Sequence, residues 1–129
     1  MATALRRAMI ASMLHASGYK TALYSSPHLV DVRERMCING ETITQADFVR
    51  LVRLIEPVVK RMKPTPTYFD VLTAIAFKWF AEQKVEVAVV ETGLGGRLDS
   101  TNVLKPEVTA ITSISKDHMA QLGSTIGRI

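Results

Sequence analysis

Glu91 directly follows four apolar residues, Val87-Ala88-Val89-Val90, and opens the segment Glu91-Thr92-Gly93-Leu94-Gly95-Gly96-Arg97-Leu98-Asp99-Ser100-Thr101-Asn102. A carboxylate at the end of such a run is partly desolvated and needs a cation. Mg2+, a hard ion served by oxygen ligands, fits that need; a helix cap or a pair with Arg97 would answer it equally well. Gly93, Gly95 and Gly96 allow unusual backbone angles and close approach to a ligand. They do not make a phosphate loop, because no Gly-Lys-Ser/Thr follows. Two other polar segments follow apolar ones: Ser25-Ser26-Pro27-His28-Leu29 after Thr21–Tyr24, and Ser115-Lys116-Asp117-His118 after Val108–Ile114. Ser26, His28 and Asp99 form a hydrolase set by inventory, yet Gly-x-Ser-x-Gly is absent. His118 reads as a structural histidine or, through its place on the same predicted sheet edge as Glu91, as a metal ligand. Asp70 reads as the residue completing a helix cap begun by Thr67, and Ser26 before Pro27 as a simple turn residue.

The elements that must position these groups are legible as patterns. Leu5, Met9, Ile10, Met13 and Leu14 recur at helical spacing to about Ala16, and Gly18 then reads as the helix stop. Thr21–Tyr24 reads as a short strand. Asn39-Gly40 between Met36-Cys37-Ile38 and Glu41-Thr42-Ile43 is a hairpin signal. Thr44 with Asp47 opens a helix bearing Phe48, Leu51, Val52, Ile55, Val58, Val59 and Met62, kinked or broken at Pro57. Arg50, Arg53, Lys60 and Arg61 lie mostly on its other face, as solvated charge. After Pro64 and Pro66, Thr67 and Asp70 repeat the cap before a helix with Phe69, Leu72, Ile75, Ala76 and Trp79. Val85–Val90 reads as a buried strand, and Val108 to Ile114 as the last one. The fold class is therefore α/β, with a mostly parallel sheet flanked by helices. Ligands bind such sheets at the carboxyl ends of the strands, which is where all three polar loops fall.

The chain has 129 residues and a formal net charge of +4, with 47% hydrophobic and 22% charged residues. That length predicts one domain, and that apolar share excludes intrinsic disorder. A single cysteine, Cys37, excludes an intramolecular disulfide and a thiolate cluster. Residues 1–65 carry 10 basic and 5 acidic groups, residues 66–129 carry 6 and 7. This excess suits anionic small molecules, and its spread without neighbouring aromatics argues against nucleic acid. Ser12, His15 and Ser17 interrupt the stretch after Arg6-Arg7, so no signal peptide is expected. No window reaches the about 18 apolar residues of a membrane span. The expected compartment is the cytoplasm.

Gly18-Tyr19-Lys20-Thr21 through Ser25-Ser26-Pro27-His28-Leu29, with Arg33-Glu34-Arg35, resembles the folate-loop region of folylpolyglutamate synthases and dihydrofolate synthases. These are ATP-dependent ligases of the Mur ligase superfamily. Thr67-Tyr68-Phe69-Asp70 is similar to the family's Phe-Glu segment, with Asp for Glu. Glu91 through Asn102 is close to its most characteristic signature, and Ile111 through Gly123 completes the match. The resemblance implies part of a Mur-ligase-type ATP-binding domain over 1–129. It implies ATP and Mg2+ as cofactors and folate or dihydropteroate, L-glutamate and ATP as ligands, in an enzyme monomeric at full length. ATP would phosphorylate a carboxylate, and the amino group of glutamate would attack the acyl phosphate. By motif position Ser26, Glu91 and His118 are metal ligands. Thr67, Tyr68, Phe69, Asp70, Leu98, Asp99 and Ser100 face the pterin and pteroate, and Asn102 faces the nucleotide.

The family's Gly-Lys-Gly-Ser phosphate loop falls where this chain has Ala2-Thr3-Ala4-Leu5. Its modified lysine would follow Ile129, and its C-terminal domain has no counterpart here. The expectation is a partial domain, inactive by itself. The alternative is a non-catalytic folate- or partner-binding module.

Overall fold

The structure, a computed structural model, describes residues 2–112, 114 and 118–126. These gather into two compact units, Met1–Glu91 and Thr92–Ile129.

The first unit opens with helix α1, Ala2–Ala16. The expected stop at Gly18 is a two-bond reversal. Gly18 N–H donates to the His15 carbonyl at 2.9 Å and Tyr19 N–H to the Leu14 carbonyl at 3.3 Å, with Gly18 at φ +94°. Strand β1, Thr21–Tyr24, is followed by a 3-10 helix, Val32–Arg35, then by β2, Met36–Ile38, and β3, Glu41–Thr42. Asn39 and Gly40 turn the β2–β3 hairpin with φ of +51° and +86°, as the Asn-Gly pair predicts. Asn39 also anchors the turn to β1, its Oδ1 accepting from Thr21 N–H at 2.9 Å.

Helices α2, Gln45–Val59, and α3, Tyr68–Glu82, precede strand β4, Val87–Val90. Both expected caps are present. Thr44 accepts from Asp47 N–H; Thr67 and Asp70 form a reciprocal box, each side chain receiving the other's backbone N–H. Pro57 sits in the last turn of α2, and the helix runs through it for two more residues. There the ring needs only the loss of one intrahelical hydrogen bond, so no break is forced. The basic face of α2 is exposed as expected. Arg50 pairs with Asp47 in its own helix and with Glu82 of α3 at 2.7 Å, and Lys60 pairs with Glu56.

The sheet order is β3-β2-β1-β4. Its longest ladder is the parallel one, β1 with β4, in which Tyr24 lies beside Val90. The antiparallel β2–β3 arm makes the sheet mixed rather than wholly parallel. α1 packs against β1 and β4. The core gathers Ala22 and Tyr24, Met36 and Ile38, Ile43, Leu51, and the Leu72, Ile75, Ala76, Trp79 and Phe80 face of α3. At its centre Tyr24 lies 6.0 Å from the rings of both Phe69 and Phe77. Thr73 spends its hydroxyl proton on the Phe69 carbonyl, so Tyr24 donates in the 2.9 Å bond between the two hydroxyls. The polar tip of a buried ring is thereby satisfied.

Three expectations differ. β4 is half-buried instead of buried, with Ala88 exposed, because among the described residues only β1 pairs with it. The apolar side chains Leu5, Met9, Ile10 and Met13 of α1 remain largely exposed. Residues 108–112 form no strand, and Val108 and Ile111 are exposed. Apolar β-branched residues favour a strand only where a ladder partner satisfies the backbone. The second unit holds a 3-10 helix, Ser100–Val103, and the short helix α4, Met119–Leu122. No described helix is long and apolar enough to cross a membrane.

Ile75 is fully buried between sheet and helices. Ile75→Ala should destabilise the chain by about 3 kcal/mol, loss of transfer energy plus a cavity, measured as a lower urea midpoint with an unchanged slope.

Candidate functional site

Parallel pairing of β1 with β4 sends both chains out of the sheet at the same edge, one at Ser25 and the other at Glu91. Glu91 N–H still donates to the Tyr24 carbonyl at 3.0 Å, which holds the Glu91 backbone in register. Its side chain then turns onto the neighbouring loop: Oε2 accepts from Ser26 N–H at 2.7 Å. Oε1 pairs with the guanidinium of Arg7, which comes from α1. The same Arg7 nitrogen donates to the Ser26 carbonyl at 3.3 Å. The Arg7 and Glu91 side chains are only 17% and 15% exposed. The cation that a desolvated Glu91 demands is therefore Arg7.

The same geometry shows how two of the three expected metal ligands, Ser26 and Glu91, are engaged. Mg2+ asks for about six oxygen donors in near-octahedral array at roughly 2.1 Å. Both Glu91 oxygens are already engaged, and the Ser26 carbonyl beside them accepts from the guanidinium. Among the described residues no three His, Cys, Asp or Glu side chains come together as a metal set. In this arrangement both Glu91 oxygens already hold protein partners, one cationic and one a backbone N–H. His118 belongs to the second unit, where it precedes α4 with φ +49°, and Asp117 lies outside the described residues.

The loop after β1 is built by two carboxylates. Glu34 accepts the N–H groups of Leu29, Val30 and Asp31 at 2.8, 3.0 and 2.7 Å, wrapping residues 29–31 around itself. The Leu29 and Asp31 N–H groups, then that of Val30, hold its carboxyl below the ordinary value against a small cost of burial. Asp31 caps the 3-10 helix and takes the Arg33 side chain, which lowers its pKa to about 2. The loop presents Leu29 and Val30 almost wholly to solvent, Leu29 at 93%. Beside it Arg35 donates to His28 Nδ1 at 2.9 Å, and its guanidinium lies 5.9 Å over the ring of Tyr68.

Tyr68 is 62% exposed at the start of α3, a ring available to a ligand. The other three members of its motif act inward. Thr67 and Asp70 cap the helix, and Phe69 packs on Tyr24.

In the second unit, Asp99 organises the glycine segment. Its oxygens accept from Leu94 N–H at 2.8 Å, Thr101 N–H at 3.0 Å and the Thr101 hydroxyl at 2.5 Å. Burial alone would push its carboxyl up, but the Thr101, Leu94 and Gly93 donors outweigh that and hold it low. Gly95 has φ +70°, and a Cβ there would lie 2.7 Å from a Leu122 methyl. Leu98 is exposed, Ser100 opens the 3-10 helix, and the Asn102 amide donates to the Arg97 carbonyl at 3.0 Å.

Arg7, Glu34 and Arg35 are the functional-looking groups that local patterns understate. For Arg7 the usable signal is a guanidinium on a helix that packs at the rim where Glu91 emerges. As pH falls from above the ordinary glutamate value through the lowered value of Glu34, the carboxylate protonates and its three bonds weaken. The support Glu34 lends the loop is therefore complete at neutral pH and lost in acid. The amide signals of Leu29, Val30 and Asp31 should shift together with a midpoint below the ordinary glutamate value, and Glu34→Gln should abolish that shared transition.

No protein-family model matches the chain. Among curated proteins it is 45% identical to a dihydrofolate synthase/folylpolyglutamate synthase of Bacillus subtilis, over 95% of this chain and 30% of that protein. It is 42% identical to the mitochondrial folylpolyglutamate synthase of Homo sapiens, over 91% and 21%. Of solved structures, a Mycobacterium tuberculosis folylpolyglutamate synthase complexed with ADP and AMPPCP matches with a TM-score of 0.86 at 42% identity, covering 98% of this chain and 30% of that one. E. coli FolC in complex with DHPP and ADP matches at 0.86 and 37%, covering 92% and 28%. The chain spans less than a third of the length of these relatives. With that identity running through a shared fold over nearly all of its own residues, the chain belongs to the folylpolyglutamate synthase and dihydrofolate synthase family.

Proposed function

We propose that these residues are part of the N-terminal, ATP-binding domain of a cytoplasmic ligase, monomeric at full length, that joins L-glutamate to folates or dihydropteroate. In that reaction ATP converts a substrate carboxylate to an acyl phosphate, which the amino group of glutamate attacks. The observation that carries the reading is the extent of the match. A neighbour covering 98% of the chain leaves all the strand-end loops inside it, and another such neighbour holds DHPP and ADP.

The geometry supports a division of labour on this reading. Tyr68, exposed and backed by the Arg35 guanidinium, offers an aromatic face to a flat heterocycle. Thr67 and Asp70 hold that ring at the helix start, and Phe69 ties the helix start to the core. Leu98, Asp99 and Ser100 belong to the pteroate-facing segment, within which Asp99 shapes the loop and Leu98 presents an apolar side chain. Asn102 is the nucleotide-facing position. Ser26, Glu91 and His118 are the metal-facing positions of the motif, and in this fold Arg7 engages Glu91.

Pteroate should bind the 129-residue chain saturably, read by ligand fluorescence. Tyr68→Ala should weaken it three- to tenfold, the equivalent of one ring contact of about 0.5–1.5 kcal/mol, with little change in melting temperature because the ring is exposed. Absent binding, or binding indifferent to Tyr68, would count against the site. None of the seven glycines precedes a lysine, so the chain lacks a Gly-Lys-Ser/Thr phosphate anchor. The chain alone should therefore form no ATP- and glutamate-dependent product by mass spectrometry; detecting one would refute its expected inactivity.

A further inference from the structure

We infer that Arg7 is the resident cation of the Glu91 site, and that its guanidinium keeps divalent metal away from this carboxylate. The inference rests on Glu91 being a metal-facing position, as read above.

The geometry is that of a built site. Three elements converge on it: α1 supplies Arg7, the loop after β1 supplies both backbone groups of Ser26, and the end of β4 supplies Glu91. Both oxygens of the carboxylate are satisfied, one by the guanidinium and one by a 2.7 Å N–H. The Ser26 carbonyl points at the same guanidinium nitrogen. Of these three oxygens, two face the guanidinium and the third accepts from the Ser26 N–H.

Two charged side chains with so little exposure form a neutral pair, and neutrality is what disfavours a further cation. Mg2+ or Mn2+ entering beside Glu91 would stand next to a guanidinium that cannot shed its proton, with a single carboxylate to balance three positive charges. It would have to expel Arg7, leaving an arginine largely out of water and without its partner. Arg7 and a divalent ion are therefore alternatives at one position. Removing the arginine charge should open the position to metal.

The test uses Mn2+ alone, which broadens nearby amide signals, on the isotopically labelled 129-residue chain. In the unaltered chain the Ser26 amide should stay sharp under excess Mn2+. In Arg7→Met, which keeps the packed stem and removes the charge, the Ser26 amide should broaden. Mn2+ should bind there roughly ten- to a hundredfold more tightly, the range for altering the partner of a ligating carboxylate. Glu91→Gln on that background should abolish the gain. Broadening of Ser26 in the unaltered chain overturns the inference while leaving Glu91 a metal position. No broadening in either chain overturns both the inference and the metal reading. Should Arg7→Met be unfolded, Mg2+ must restore its fold, since ligand binding to the native state pulls the equilibrium back. Failure of that rescue also overturns the inference.

Discussion

Tyr24 and Val90 lie side by side in a parallel ladder, and from there both chains leave the sheet at one edge. An antiparallel pairing would have put Ser25 and Glu91 at opposite ends of the sheet. β1 also pairs with β2 on its other side, and its Ala22 and Tyr24 sit at the centre of the core. The position of the Ser26 loop, the emergence of Glu91 and the seat of α3 against Tyr24 all follow from that one doubly paired strand. Its Thr21 end is tied to the hairpin through Asn39, so the strand is held at both ends.

In both units the acidic side chains mostly serve the backbone. Asp31, Asp70 and Asp99 each accept main-chain N–H groups at the start of a helix or turn, and Glu34 accepts three from a single loop. A short polar loop has few partners for its own N–H groups, and an ionised carboxylate is a strong acceptor for several at once. Such residues shape the loops from within. The apolar and aromatic side chains left exposed in the first unit include Tyr68 beneath Arg35, Leu29 and Val30, and in the second unit Leu98.

Arg7 gives the Glu91 corner a different character from the one its motif implies. A guanidinium and a divalent ion both neutralise a desolvated carboxylate, but the guanidinium is bulkier, carries one charge and is tethered to α1. Its bond to the Ser26 carbonyl couples helix, loop and strand in a way that a solvated ion would not. The pair sits where water is scarce, so its strength depends on keeping both partners.

How much was legible beforehand depended on the range of the interaction. The Asn39-Gly40 turn, the stop at Gly18, and the Thr44 and Thr67–Asp70 caps are decided within a few residues by backbone sterics and nearby hydrogen bonds, and local patterns revealed them. The motif order likewise identified the family. The α/β class followed from alternating apolar periods. Whether Val108 to Ile114 would form a strand did not, because a strand's backbone needs a partner that its own residues do not name. Nor could composition show that β4 is paired on one side among the described residues. The partner of Glu91 is 84 positions away in sequence, at Arg7, and no local spacing connects them. Sequence alone determined which turns, caps and loops would form, since those are short-range. Tertiary structure decided which charges meet at the sheet edge, because only folding brings α1, β1 and β4 together and strips enough water away for their charges to require one another.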